Sequence, residues 1–335
     1  MKNVAINGFG RIGQAVVRIW AQHEDKKFAL ALINGGDVQR IYSSLKYDSV
    51  YGVFPGTVEK GEDCVYVNGE KIEVRNQRDE ANLPWKENDI DIVIDSTGRY
   101  RTRETAQIHL DQGAKKILIT APAKGDDITI VMGVNEDDYD HKNHHIISNA
   151  SCTTNCLAPV AKILDREFGI EMGMMTTIHA YTNDQVLVDS KHSDPRRARA
   201  AALNMIPTTT GAAQAVSLVL PQLKGKFSGM SMRVPTPTVS VVDLVVTTKK
   251  PVTIEAVNEA LKIASQGEMK GILGYSEEPL VSTDYKGDKR SSIVDALSTD
   301  VLGEKMVKVI AWYDNEWGYA ERVVDLCDYM VEKSK

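Results

Sequence analysis

The sequence predicts an α/β fold in two parts, an N-terminal Rossmann-type doubly wound sheet and a C-terminal α+β domain built on a mixed sheet. Three observations predict it: compact apolar runs alternating with helical patterns up to about residue 150, a glycine-rich turn after the first run, and longer β-rich runs beyond Cys152. Residues 4–6, 28–33, 90–95, 116–119, 128–132 and 146–148 are short and apolar, as strands covered on both faces must be. Between the first two, Ile12, Ala15, Val16, Ile19 and Trp20 recur at helical spacing and complete a strand–helix–strand unit. In the second part, residues 174–179, 231–234, 239–247 and 306–313 read as strands, with a helix over 254–265. The tail spaces Ala320, Val323, Val324, Cys327, Met330 and Val331 helically and is expected to dock on the first domain. The expected domains are therefore 1–151 with the helix 317–335, and 152–316.

Composition narrows the function. The 335 residues suit two domains of roughly 150 residues, and 42% hydrophobic with 26% charged residues is ordinary for a soluble protein. A net charge of -6 argues against a polyanion, so nucleic acid is not expected as a partner. No apolar run approaches the roughly 20 residues that span a bilayer, and the first residues lack a signal-peptide pattern, so a cytoplasmic protein without membrane contact is expected. The four cysteines, Cys64, Cys152, Cys156 and Cys327, are by default small buried hydrophobes.

The first strand runs into Gly8-Phe9-Gly10-Arg11-Ile12-Gly13, a GxGxxG between strand and helix. Its first two glycines allow a tight turn and close backbone approach, and the helix N-terminus faces a pyrophosphate. Arg11 offers a further cation. An acidic residue about 20 positions on should then accept the ribose hydroxyls. The chain reads Asn34-Gly35-Gly36-Asp37 there, so the carboxylate is either missing or displaced to Asp37, and discrimination against NADP is relaxed.

A second constellation centres on Cys152, carried from a strand end into a helix over 153–168. A thiol at a helix N-terminus feels the dipole and free N–H groups, which lower its pKa toward the nucleophilic thiolate. Cys156, one turn further in, reads as helix packing, and with no second cysteine pair no metal site is expected. Of seven histidines, His179 at a strand end before a polar loop is the best base, although a strand-end His is by itself usually a polar cap. His144, His145 and His192 lie in polar stretches.

Asn7-Gly-Phe-Gly-Arg-Ile-Gly13, Ser148-Asn-Ala-Ser-Cys-Thr-Thr-Asn-Cys156, Thr177-Ile-His-Ala-Tyr-Thr182, Pro207-Thr-Thr-Thr-Gly211 and Trp312-Tyr-Asp-Asn-Glu-Trp-Gly318 closely resemble the motifs of the phosphorylating glyceraldehyde-3-phosphate dehydrogenases, and the likeness runs the whole chain. The resemblance implies that Cys152 adds to the aldehyde of glyceraldehyde 3-phosphate, that His179 takes the hydroxyl proton, and that inorganic phosphate cleaves the resulting thioester. It implies one anion site from Thr182, Arg197 and Arg233, and a second around Cys152 from Ser151, Thr153, Thr210 and Gly211. Arg196 and Arg199 read as a solvated face.

For the cofactor it adds Arg78, Thr97, Gly98, Thr120 and Asn315 to Gly8, Gly10, Arg11, Ile12 and Gly13. Thr120 stands where many members have Ser. Gly35 stands where NAD-specific members carry Asp, residues 187–192 lack their Leu-Pro pair, and Lys191 offers a cation. NAD and NADP both stay open. The family also implies a homotetramer, with the loop 184–193 crossing toward a neighbour's cofactor. Two alternatives remain: erythrose-4-phosphate dehydrogenase, expected to lack the Thr-Thr-Gly-Ala-Ala segment kept here at 209–213, and a catalytically silent binding protein on the same fold.

Overall fold

The computed structural model describes residues 1–335, the side chain of Glu80 excepted. Two densely packed units divide the chain, one of Met1–Ile130, Glu136–Ala150 and Ala320–Lys335, the other of Val131–Asn135 and Ser151–Tyr319. Among the described residues, no helix is long and apolar enough to cross a membrane.

The first unit opens with β1 (Lys2–Asn7), α1 (Arg11–Gln22), β2 (Phe28–Asn34) and α2 (Val38–Lys46). The short β3 (Tyr47–Asp48) and β4 (Gly52–Val53) pair with each other, and β5 (Val58–Lys60), β6 (Cys64–Val67) and β7 (Glu70–Arg75) follow. Then come β8 (Ile92–Asp95), α3 (Arg103–Asp111), β9 (Lys116–Ile119), β10 (Ile128–Thr129) and β11 (Ile146–Ser148). Nine strands form one sheet in the order β10-β11-β9-β8-β1-β2-β7-β6-β5. It is parallel from β10 to β7, and its β7–β6–β5 edge is antiparallel. That edge, unforeseen from sequence, turns on Asn68 and Gly69, both with positive φ (51° and 83°), the pair that a tight hairpin favours. The run expected over 128–132 stops at Thr129, because the chain turns at Val131, whose N–H donates to Asn135 Oδ1 at 3.0 Å.

β1 has β2 on one side and β8 on the other, so the strand order reverses here and a ligand crevice is expected at their carboxyl ends. A buried polar network joins these ends. Asn34 Nδ2 donates to Asn7 Oδ1 (2.9 Å), and Asn7 Nδ2 to Asp95 Oδ2 (2.8 Å). Trp85 Nε1 donates to His109 Nδ1 (3.0 Å), which fixes the imidazole proton on Nε2, 3.6 Å from Asp95 Oδ2. Burial pushes the Asp95 carboxyl up to about 6 and His109 down to about 4.

The second unit contains α4 (Cys152–Phe168), β12 (Ile170–Ala180), β13 (Ile206–Thr209), α5 (Ala212–Val219), β14 (Phe227–Val234), β15 (Ser240–Thr248), α6 (Ile254–Gln266), β16 (Leu273–Ser276), β17 (Ser292–Leu302) and β18 (Met306–Tyr313). α7 (Trp317–Glu332) begins here, and its residues from Ala320 on belong to the first unit. The seven-stranded sheet runs β13-β14-β12-β15-β18-β17-β16 and is mixed, with β12–β14 and β16–β17 parallel and the other pairs antiparallel. Along β15 every second residue is buried, Val242, Leu244 and Val246 among them, so one face carries the core. On the other face Met174 and Met230 lie exposed on neighbouring strands.

Replacing His109 by Leu orphans the buried Trp85 N–H and should cost about 1–3 kcal/mol of stability, read as a lowered urea midpoint. Adding Trp85→Phe should recover part of that loss, since the unsatisfied donor goes with it.

Candidate active site

Cys152 is the first residue of α4. The chain enters that helix through Ala150, held at φ 56°, and Ser151 caps it by accepting the Thr154 N–H at 3.0 Å. Cys152 Sγ lies 3.5 Å from Nε2 of His179, the second-last residue of β12. His179 Nδ1 is 2.7 Å from Ala180 O, to which it donates, so Nε2 is the acceptor that faces the thiol. Arg233 is the β14 partner of His179 in the sheet register. Its Nη1 stands 2.8 Å from His179 Nδ1, donates to Ala180 O (3.2 Å) and reaches Thr182 Oγ1 (3.4 Å). Because a nitrogen that donates cannot also accept, the two N–H groups share the Ala180 carbonyl.

Burial holds His179 down to about 3, and Arg233 and Arg197 push the same way. The imidazole is therefore neutral at pH 7. Burial also pushes the Cys152 thiol up, against the opposing pull of Arg233 and of hydrogen bonds at the helix start. This corrects the expectation of a thiol lowered at the helix start, because burial is the largest influence and the hydrogen bonds there offset only part of it. The resting pair is a thiol beside a neutral base, arranged for proton transfer from Sγ to Nε2. Cys156 is fully buried against Ser292 Oγ (3.4 Å), and burial pushes it up to about 12.

Arg197 donates from Nε to Thr208 Oγ1 at 2.9 Å and pairs with Asp184. Its charge is felt by both His179 and Arg233, and Arg233 in turn reaches Thr182. Arg233 Nε is buried with no hydrogen-bond partner, an orphan donor that suits an anionic ligand. The second expected set is more dispersed. Ser151 Oγ is engaged with Thr154, Thr153 Oγ1 meets Tyr313 OH at 2.8 Å, and Thr210 Oγ1 accepts the Ala212 N–H beside Gly211, which caps α5. A Cβ at Gly211 would meet nothing within 4 Å, so its backbone is open to a ligand. Arg199 pairs with Asp189 on an exposed loop, and Arg196 is exposed.

In the first unit the glycine turn fits a pyrophosphate. Gly8 has φ 90°, and a Cβ there would stand 2.8 Å from the Thr97 side chain; one at Gly13 would stand 2.4 Å from Gly8 O. Gly10 begins α1 with no side-chain cap and nothing within 4 Å of its Cβ position, which leaves the first N–H groups after it, including that of Ile12, to a ligand. Arg11 is fastened to Asp48 through both Nη atoms, so its cation is already matched and its backbone is its contribution to the turn. Thr97 Oγ1 donates to Asp95 Oδ1 (2.8 Å), Gly98 follows at φ 69°, and Thr120 Oγ1 donates to Asp95 O (3.0 Å), so Asp95 arranges all three. Arg78 is exposed in the loop after β7. At the β2 tip a Cβ on Gly35 would lie 2.7 Å from Phe9 N, and the Asp37 carboxylate caps α2 by accepting the Arg40 N–H at 2.8 Å.

Asn315 belongs to the second unit, where Ser240 Oγ donates to its Oδ1 at 2.9 Å and leaves Nδ2 as the outward donor. Ser240 also accepts the Ala180 N–H (3.1 Å), so one hydroxyl braces both Asn315 and the end of β12. Val239 before it has φ 67°, a strained geometry for a β-branched residue. Tyr313 OH bridges Thr153 and Thr177 (2.8 and 2.9 Å), with its ring edge-on to His179. Sequence reasoning assigned no role to Ser240, Tyr313, Asn7 or Asp95. Tyr313 and Asn7 sat inside motifs already quoted, but nothing local marked Ser240 or Asp95. Among the described residues no cluster of three or more His, Cys, Asp or Glu is placed to hold a metal.

Residues 2–103 match the family described as glyceraldehyde 3-phosphate dehydrogenase, NAD binding domain, and residues 151–315 match the corresponding C-terminal domain. The chain is 59% identical to glyceraldehyde-3-phosphate dehydrogenase of Geobacillus stearothermophilus, over 98% of each. It is 54% identical to glyceraldehyde-3-phosphate dehydrogenase 2 of Bacillus subtilis (strain 168), over 99% of this chain and 97% of that one. With glyceraldehyde-3-phosphate dehydrogenase GAPB, chloroplastic, of Arabidopsis thaliana, it shares 55% identity over 98% of this chain and 75% of the relative.

Since Arg233 opposes the burial that raises the Cys152 pKa, Arg233→Met should move the half-maximal pH for alkylation of Cys152 by iodoacetamide upward. A profile that stays in place or moves to lower pH would show that the guanidinium does not act on the thiol.

Proposed function

The chain belongs to the glyceraldehyde-3-phosphate dehydrogenase family, and from that premise we propose that it oxidises D-glyceraldehyde 3-phosphate with inorganic phosphate to 1,3-bisphosphoglycerate. The observation that carries the proposal is the 3.5 Å approach of Cys152 Sγ to a His179 whose Nδ1 is anchored on Ala180 O. Cys152 attacks the aldehyde carbon as its proton passes to His179 Nε2. The resulting oxyanion is held by the Cys152 backbone N–H and the newly protonated imidazole. His179 is then free, once neutral again, to take the thiohemiacetal hydroxyl proton as the carbon is oxidised to the thioester level. Inorganic phosphate cleaves that thioester, with the thiolate as leaving group.

Thr182, Arg197 and Arg233 take the substrate C3 phosphate, the orphan Arg233 Nε among their donors. Ser151, Thr153, Thr210 and Gly211 frame the attacking phosphate, mainly through backbone N–H groups where their hydroxyls are engaged. A nicotinamide cofactor, when bound, accepts the hydride. Its pyrophosphate suits the turn from Gly8 to Gly13, with Thr97, Gly98, Thr120 and Arg78 as further contacts, and the family resemblance assigns the nicotinamide carboxamide to Asn315 of the second unit. We read the cofactor as NADP as well as NAD, because the packing of Gly35 against Phe9 excludes a carboxylate that would repel a 2′-phosphate. The enzyme works in cytoplasmic central carbon metabolism and as a homotetramer. The exposed Met174 and Met230 on the sheet face, and the exposed Leu187 and Val188 of the loop 184–193, are apolar surface for neighbouring subunits.

One assay tests the core of this reading: kcat/KM with NAD and with NADP, each with and without phosphate. Cys152→Ser should abolish oxidation while cofactor binding persists, and substantial residual turnover would remove Cys152 as nucleophile. His179→Asn should slow acylation by roughly 10²–10⁴-fold, read in a single-turnover burst.

A further inference from the structure

We propose that Arg40, on the first turn of α2, binds the adenosine 2′-phosphate of NADP in this chain. The proposal rests on the reading that the enzyme uses NADP, and it names the residue that makes this possible.

In dinucleotide folds the ribose 2′ position is read at the tip of the second strand, by a carboxylate for NAD or by a nearby arginine for NADP. Here β2 ends at Asn34, and the next two residues are glycines. The Gly35 position is closed, since a Cβ there would stand 2.7 Å from Phe9 N and 2.8 Å from Phe9 Cβ. The Gly36 position is filled from elsewhere. A Cβ there would meet Arg40 Cδ at 2.8 Å and its Cγ and Nε at 3.5 Å, so the arginine side chain lies in the space a residue-36 side chain would occupy. The cap fixes this arrangement, because Asp37 accepts the Arg40 N–H and pins the first turn of α2 beside the strand tip.

The Arg40 guanidinium is exposed and makes no ion pair or side-chain hydrogen bond among the described residues. Other arginines of this unit are engaged: Arg11 with Asp48, Arg18 with Leu45 O and Gly52 O, Arg75 with Glu73 and Arg103 with Asp127. The loop after β7 converges on the same tip, where Asn34 Oδ1 accepts the Gln77 N–H (2.8 Å) and Asn34 Nδ2 donates to Gln77 O (3.0 Å). Arg78, the next residue, brings a second exposed guanidinium. The hollow beside Gly36 has the carboxylates of Asp37 and Glu62 in its lining, so a dianion there needs a neighbouring cation such as Arg40. An arginine fork matches a phosphate bidentately, whereas a ribose hydroxyl offers it no charge.

The test uses full-length wild-type enzyme, Arg40→Gln and Arg40→Lys. The readouts are the ratio of kcat/KM for NADP to that for NAD, and inhibition of the NAD reaction by 2′-AMP and by 5′-AMP. Arg40→Gln should lower the NADP-to-NAD ratio by roughly ten- to a hundredfold, the worth of a charge-assisted hydrogen bond, and weaken 2′-AMP in the same proportion relative to 5′-AMP. Arg40→Lys should restore part of both. A wild-type enzyme that uses NADP, with the ratio within twofold of it in Arg40→Gln, overturns the role of Arg40 alone. A wild-type enzyme that neither uses NADP nor distinguishes 2′-AMP from 5′-AMP overturns the NADP reading and the proposal with it.

Discussion

The approach of Cys152 to His179 is the contact on which the proposed chemistry of the second unit depends, and it exists because α4 begins where β12 ends. Each partner is held in place by its own neighbours. Ser151 caps the helix, Ala180 O fixes the imidazole tautomer, and Ser240 ties the Ala180 N–H to Asn315. The strained φ of Val239 sits directly before Ser240, where surrounding packing against Tyr285 and Ile293 enforces it. Sheet register brings Arg233 alongside His179, so one pairing supplies both a guanidinium with an unpartnered Nε donor and a charge that lowers the pKa of thiol and imidazole alike.

The first unit follows a similar logic with different chemistry. Its strand tips are held by the buried side chains Asn34, Asn7 and Asp95, the last of which reaches the half-buried Thr97. Such a network must be fully satisfied to be worth its burial, and satisfied it makes the tips rigid. A rigid tip lets three glycines present bare backbone in one place. Gly13 leaves room for Gly8 O, Gly8 for Thr97, and Gly10 leaves the start of α1 uncovered. The closure of Gly35 onto Phe9 belongs to the same packing, so the way two loops touch keeps a side chain out of that position.

Charge shows the difference between a surface and a cleft. The chain is acidic overall at -6, yet the half-buried Arg233 keeps an unpartnered Nε donor, as the proposed handling of a small phosphate requires. A polyanion meets the summed field of the surface, whereas a phosphate in a desolvated pocket meets two or three guanidiniums at hydrogen-bond range. Both statements hold for the same molecule.

Much of this was legible in the chain itself. Apolar periodicity marked the parallel strands and α1, and the spacing of Gly8, Gly10 and Gly13 marked the turn, because these signals are local and backbone geometry enforces them. The alternating edge strands from Cys64 to Arg75 escaped, although Asn68-Gly69 was a readable hairpin signal. Cys152 could be picked as the candidate nucleophile from its helix start, and His179 as the most promising base, although only the resemblance strengthened it, since a strand-end histidine looks the same whether it caps or catalyses. The protonation states, the role of Ser240, the engagement of Arg11 by Asp48 and the lie of Arg40 across Gly36 were decided by tertiary structure alone. Each depends on a neighbour distant in sequence or on side-chain direction, and desolvation, which raises the Cys152 thiol, exists only once the chain has folded around the group.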